Sequence, residues 1–131
     1  MTARALGGVV LDAAAVLAFV HRVTYAHAVV WATVDAGNTI VVPSTVLAAA
    51  RTHIPDDRLD ILAVLVGLPH TLIPSFHPAP ANRLDVGHGA GALIAAGHAT
   101  REAVSRDWPC LTGRPKRLRQ IDPRVIIDAL P

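Results

Sequence analysis

Cysteine, lysine and aromatic residues are nearly missing from this chain of 131 residues. With Cys110 as the sole cysteine, no internal disulfide can form and no cysteine-based metal cluster can be built, which fits a reducing compartment. Two Trp, one Tyr and two Phe leave the core to be made of Ala, Val, Leu and Ile, and leave few rings on which nucleic-acid bases could stack. Lys116 is the only lysine among twelve basic residues; with the abundance of Ala and Gly, this bias reads as a coding preference rather than a functional signal. The net charge of +2 and a pI near 9.3 permit contact with nucleic acid without demanding it. Long clean apolar runs are lacking too. The stretch from Ala5 to Val20 comes nearest, but Asp12 stands in its middle, and a carboxylate at the centre of a bilayer costs about 3 kcal/mol. The expectation is a cytoplasmic protein with no membrane role, folded as a single domain over residues 1–131 around an aliphatic core.

What is present is an alternation of short aliphatic runs and helical patterns. Gly8-Val9-Val10-Leu11 reads as a buried strand, Asp12 as the junction, and the Ala-rich stretch from Ala13 to Val20 as a helix whose first amides the Asp12 carboxylate would accept. Tyr25 to Ala36 has helical spacing and is closed by Gly37-Asn38. Thr39 to Val42 reads as a second strand stopped by Pro43, with Ser44 capping a helix through Ala50. Asp56-Asp57 opens a helix through Leu65, His70 to Ile73 reads as a third strand, and Pro74 to Asn82 as a loop with three prolines. A glycine-punctuated helical region follows from Leu84 to about Arg106. Beyond it come a strand over Pro109–Thr112, a basic turn and short helix from Pro115 to Gln120, and a last strand at Val125–Ile127.

Strands of about four residues alternating with helices indicate parallel βαβ units: an α/β fold with a short parallel central sheet flanked by helices in three layers. Sites in such sheets form beyond the carboxyl ends of the strands. Asp12, Pro43-Ser44 and Thr112-Gly113-Arg114 all fall at that edge.

Three segments, Val9-Val10-Leu11-Asp12-Ala13, Val41 to Ala48 (VVPSTVLA) and Trp108 to Gly113 (WPCLTG), resemble the PIN-domain family in order and spacing over nearly the whole chain. Many of its members are ribonuclease toxins of bacterial toxin–antitoxin pairs. The resemblance implies three or four carboxylates at the strand ends holding Mg²⁺ or Mn²⁺, since phosphodiester hydrolysis needs an activated water and neutralised transition-state oxygens. It also implies a homodimer and a small antitoxin-like protein as partner. The carry-over mostly fails. Asp12 matches the first acid, but the second falls at Ala49, the third at Leu93 with a further one at Ala96, and the last at Arg114. One carboxylate is too few for a stable divalent site, so Asp12 is expected to bind metal weakly, to be insufficient alone as a catalytic residue, and no cofactor is expected. Asp85, Asp107 and Glu102 are the acids that could restore an active Mg²⁺- or Mn²⁺-dependent ribonuclease.

Each feature has a plainer alternative. Asp12 could be a metal ligand, a helix cap, or both. Arg114 could lie in a turn without consequence, or its guanidinium could pair with Asp12 where the family holds a cation. Arg114, Lys116, Arg117 and Arg119 put four cations in six residues with no acid among them, which suits RNA phosphates or a solvated helix face. The histidines, His70, His77, His88 and His98 among them, lack a metal-site spacing, and no Ser-His-Asp set can be argued. Cys110, in an apolar strand, reads as a buried small residue. Tyr25, Ala26, Val29, Val30 and Trp31 read as helix-on-sheet core or as a dimerisation stripe. The favoured function is a PIN-like module with a largely lost metal site that binds nucleic acid or protein; the alternatives are an active ribonuclease toxin and a structural homodimer.

Overall fold

The computed structural model describes residues 7–77 and 90–131. The chain runs β1 (Gly8–Leu11), α1 (Ala13–Val20), α2 (Thr24–Asp35), β2 (Thr39–Val41), α3 (Ser44–Arg51), a 3₁₀ turn (Asp56–Arg58), α4 (Leu59–Val66), β3 (Thr71–Leu72), α5 (Ala90–Arg106), β4 (Cys110–Thr112), α6 (Pro115–Ile121) and β5 (Ile127–Ala129). The five strands form one parallel sheet in the order β3-β2-β1-β4-β5, flanked by the helices, as the alternating pattern predicts. β1 is the centre, with Val9↔Ile40 on one side and Val10↔Cys110 on the other. Because both faces are covered, the inner strands carry apolar runs rather than alternation: Val9, Val10, Leu11, Ile40, Val41, Cys110 and Leu111 are all buried.

α1 begins where the Asp12 side chain accepts the Ala15 amide at 2.9 Å, and it buries Ala15, Val16, Phe19 and Val20. α2 ends in a Schellman arrangement: Gly37 N–H donates to Val34 C=O and Asn38 N–H to Thr33 C=O, with Gly37 at φ +73°. Between these helices the chain turns at Arg22, whose φ is also positive. The candidate stripe on α2 divides: Ala26 and Val30 are fully buried in the core, while Tyr25 and Trp31 stay well exposed. Among the described residues no helix is long and apolar enough to cross a membrane.

Three local expectations shift. Ser44 is the first residue of α3, not its cap; Pro43 holds the cap position in extended geometry and no side chain caps there. The third strand shrinks to Thr71–Leu72 because His70 takes a positive φ, which a strand residue cannot hold. The last strand starts two residues late, since the Asp122 carboxylate accepts the Arg124 amide and the chain is still turning there; Cys110 then pairs with Ile127. The first part of the Leu84–Arg106 helical expectation lies outside the described residues, as do Asp85 and His88.

Close strand spacing at β1 depends on Gly8, where an added Cβ would meet the Thr39 carbonyl oxygen and the Trp108 ring, each at 2.6 Å. Gly8→Ala should lower stability by about 1–3 kcal/mol, as overpacking does, seen as a lower urea midpoint with unchanged slope. Gly37→Ala, where nothing stands within 4 Å, should cost about 1 kcal/mol from backbone conformation alone. A neutral Gly8→Ala would contradict the strand contact described.

Candidate functional site

The chain winds outward from β1 to β2 and β3, then returns to place β4 and β5 on the other side of β1. The topological switch therefore lies between β1 and β4, and the carboxyl ends of these two strands face each other there. Asp12 leaves the end of β1, and Thr112 ends β4. The Asp12 amide bonds to the Leu111 carbonyl at 3.2 Å, which holds the two chains in register up to the edge.

Both oxygens of the Asp12 carboxylate are engaged. Oδ1 accepts the Ala15 amide, and Oδ2 accepts the Thr112 hydroxyl at 2.5 Å. The same hydroxyl accepts the Arg114 amide at 2.8 Å, so Thr112 bridges the acid to the turn that follows β4. Asp12 is 6% exposed and Thr112 fully buried. Burial raises the Asp12 pKa above its ordinary value; hydrogen bonds from Thr112, Ala15 and Gly113, and then the Arg114 charge, offset part of that rise. Gly113 is needed here, because a Cβ would sit 2.8 Å from that of Ala14.

The Asp12–Arg114 ion pair is not formed. No salt bridge joins them, Arg114 is exposed, and the partner of the carboxylate is the neutral Thr112 hydroxyl. A hydroxyl suits a carboxylate this deep, whereas a guanidinium would itself need desolvating. Thr112 was the residue missed: its place at the sheet edge is legible in the sequence, its role is not.

Among the described residues the other aligned positions do not assemble a metal site. Ala49 on α3 and Ala96 on α5 are packed against the core, and Leu93 is 46% exposed. Asp107 precedes β4 and so belongs to the amino edge of the sheet, opposite Asp12. Glu102, the only glutamate of the chain, is bound to Arg106 and lies 3.5 Å from His98 Nε2. Among the described residues no group of three or more His, Cys, Asp or Glu could hold a metal ion. A divalent cation wants several anionic oxygens with free lone pairs, and the described donors do not fit it.

Two features stand near the site. Cys110 is buried next to Asp12, and burial with the Asp12 charge pushes its thiol well up, which makes it inert. Arg114, Lys116, Arg117 and Arg119 are all exposed on the turn and helix that leave the carboxyl edge, where only Leu118 of α6 is buried. None has an ion-pair partner among the described residues. They fan around the solvent side of α6 rather than forming one row. Further off, Thr45 Oγ1 lies 2.7 Å from His98 Nδ1, which with Glu102 gives a hydroxyl–imidazole–carboxylate set. Its imidazole is 1% exposed and covered by Phe76 at 5.3 Å between ring centroids, so it is a closed joint between α3 and α5 rather than a reaction site.

Structural comparison finds a chain of VapBC2 from Rickettsia felis, a PIN-domain toxin–antitoxin complex, in a crystal structure with a DNA fragment from their promoter. It superposes with a TM-score of 0.63, covering 95% of this chain and 99% of that one at 15% identity. The fold is PIN-like. No family profile and no curated protein matches the sequence. At the carboxyl edge of this PIN-like fold the described residues place Asp12 and the Thr112 hydroxyl.

The buried acid has a measurable signature. With its folded pKa above the ordinary 3.8, the folded state holds a proton that the unfolded chain releases, so stability falls as pH rises through that window, and the ionised group costs stability at neutral pH. Asp12→Asn keeps an acceptor for Ala15 but turns its NH2 toward the Thr112 hydroxyl, which must switch from donating to accepting; with the buried charge gone it should stay near the wild type at pH 7 and lose that acid-side slope. Asp12→Ala, which removes the cap, should cost about 1–2 kcal/mol. Chemical denaturation of the three proteins from pH 3 to 8 checks this; a destabilised Asn variant would mean that the charge itself is favourable.

Proposed function

We propose that this PIN-like domain is a non-hydrolytic RNA-binding module of the cytoplasm, which engages phosphates at the carboxyl edge of the sheet through Arg114, Lys116, Arg117 and Arg119. The observation that carries the reading is the engagement of both Asp12 oxygens by Ala15 and Thr112. Each Asp12 oxygen already accepts a hydrogen bond, and among the described residues no group of acids stands with it to complete a divalent site, so the edge beside it is dominated by positive charge. The unpaired cations supply affinity through counterion release, and the shortage of aromatics keeps recognition on the phosphate backbone rather than on stacked bases.

A second reading, that the domain also docks a protein, is supported by a groove of about 490 Å³ lined by Phe19, His27 and Trp31 of the α1–α2 unit and by Ile61 and Val64 of α4, with Arg22 and Asp60 at its rim. Trp31 and Val64 are 39% and 50% exposed there. An amphipathic segment of a small antitoxin-like protein or a second copy of the chain would cover this apolar floor.

Incubation of a single-stranded RNA panel with Mn²⁺ or Mg²⁺, with wild type and Asp12→Ala side by side, tests the central claim. No cleavage by either is expected. Metal-dependent cleavage abolished in the variant would restore the ribonuclease. RNA affinity measured across salt concentrations should fall with a log–log slope of roughly −3 if all four cations engage phosphates, each worth about −0.7 on a single strand. Lys116→Glu with Arg117→Glu should remove most of the affinity. For the groove, Trp31→Asp should abolish any dimer seen by sedimentation while leaving RNA affinity unchanged.

A further inference from the structure

We infer, resting on the RNA-binding reading above, that the ligand of the carboxyl edge is double-helical RNA, and that α6 lies over its minor groove with Arg117 and Arg119 reaching phosphates of opposite strands. Leu118 is the one buried residue of α6 and fixes which side of the helix faces the core. Arg117 and Arg119 then stand on opposite flanks, each turned from Leu118 by the roughly 100° that separates successive helical residues. Lys116 and Gln120, four residues apart, share the outermost line between those flanks. Arg114 lies in the turn before the helix. All five are exposed, and the four cations have no ion-pair partner among the described residues. The two acids that follow in the chain, Asp122 and Asp128, are held by Arg124 and Tyr25.

A single strand of phosphates can follow one flank of this helix but not both. Two backbones on either side of a groove meet both flanks at once, and a helix about 10–12 Å across with its side chains suits that arrangement. The aromatic rings argue the same way. A flexible single strand is held tightly where its bases stack on aromatic side chains, and no Phe, Tyr or Trp lies between Pro109 and Pro131. The rings of the chain are engaged elsewhere: Phe19 is buried, Trp108 packs over Gly8 at the amino edge, Trp31 lines the apolar groove, the Tyr25 hydroxyl is bonded to Asp128, and Phe76 covers His98. A duplex stacks its bases within itself and offers a rigid array of phosphates, so fixed cations meet it without the cost of ordering a strand.

The choice of RNA over DNA rests on depth. α6 has seven residues and a length of roughly 10 Å, and it is seated through Leu118 on α5 and β5, so only its side chains project. The B-form major groove is about 8.5 Å deep and takes an inserted helix. The A-form minor groove is wide and shallow and displays 2′-hydroxyls. The Gln120 amide, which both donates and accepts, faces those hydroxyls beside Lys116.

The test is fluorescence anisotropy at matched salt with an RNA duplex of about 16 base pairs, one of its strands alone, and the DNA duplex of the same sequence. The RNA duplex should bind about tenfold tighter than either of the others. Arg117→Gln and Arg119→Gln should each lower the log–log salt slope on the RNA duplex by about 1 and remove most of its advantage over the single strand. Arg119→Gln combined with Gln120→Arg keeps the net charge while clearing one flank, and it should lose that advantage as Arg119→Gln alone does. A single strand bound as tightly as the duplex, a DNA duplex bound as tightly as the RNA one, or a charge-preserving variant that behaves as wild type overturns this inference and leaves the RNA-binding reading standing. Absence of binding to all three ligands overturns both.

Discussion

The hydrogen bond from Thr112 to Asp12 is the constraint on which the rest of the site depends. It joins the end of β1 to the end of β4, the two strands between which the sheet reverses direction. Through it one carboxylate caps α1, fixes the turn after β4 by way of the Arg114 amide, and buries its charge against neutral donors. A buried acid is costly unless its oxygens are satisfied. Here they are satisfied twice, and the acid becomes a part of the scaffold.

The electrostatics of the edge follow. In a metal-dependent site, several carboxylates tolerate one another because a cation lies among them. Among the described residues the edge carries Asp12, hydrogen-bonded inward, and the exposed cations Arg114, Lys116, Arg117 and Arg119, which have no ion-pair partners there. The groove between the α1–α2 unit and α4 is separate in place and chemistry, an apolar surface suited to a protein segment.

Glu102 and His98 illustrate how a residue type acquires its meaning from packing. As the only glutamate, Glu102 was a natural candidate to replenish the acid cluster, yet it is held by Arg106 and faces a buried imidazole on its own helix. His98 has neither metal spacing nor surface position. It closes the contact between α3 and α5, and the Phe76 ring completes its enclosure.

Much of this protein was determined by local sequence. The aliphatic runs, the Ala-rich helices, Gly37 after α2 and the acid at the end of β1 each act through neighbours within a few residues, so strand, helix, cap and the parallel α/β class were legible in order. The placement of Asp12, Ser44 and Arg114 at the carboxyl edge followed from that alternation alone. Contacts distant in the chain were decided only by the tertiary structure. Thr112 reaches Asp12 across 100 positions, and Thr45 reaches His98 across 53. The preference of a buried carboxylate for a hydroxyl over Arg114 depends on depth, which no spacing encodes. The start of β5 was set by where its register with β4 begins, and which face of α2 is buried by the packing of Ala26 and Val30 into the core. Local chemistry selects the elements; burial and long-range hydrogen bonding select what each polar group among them can do.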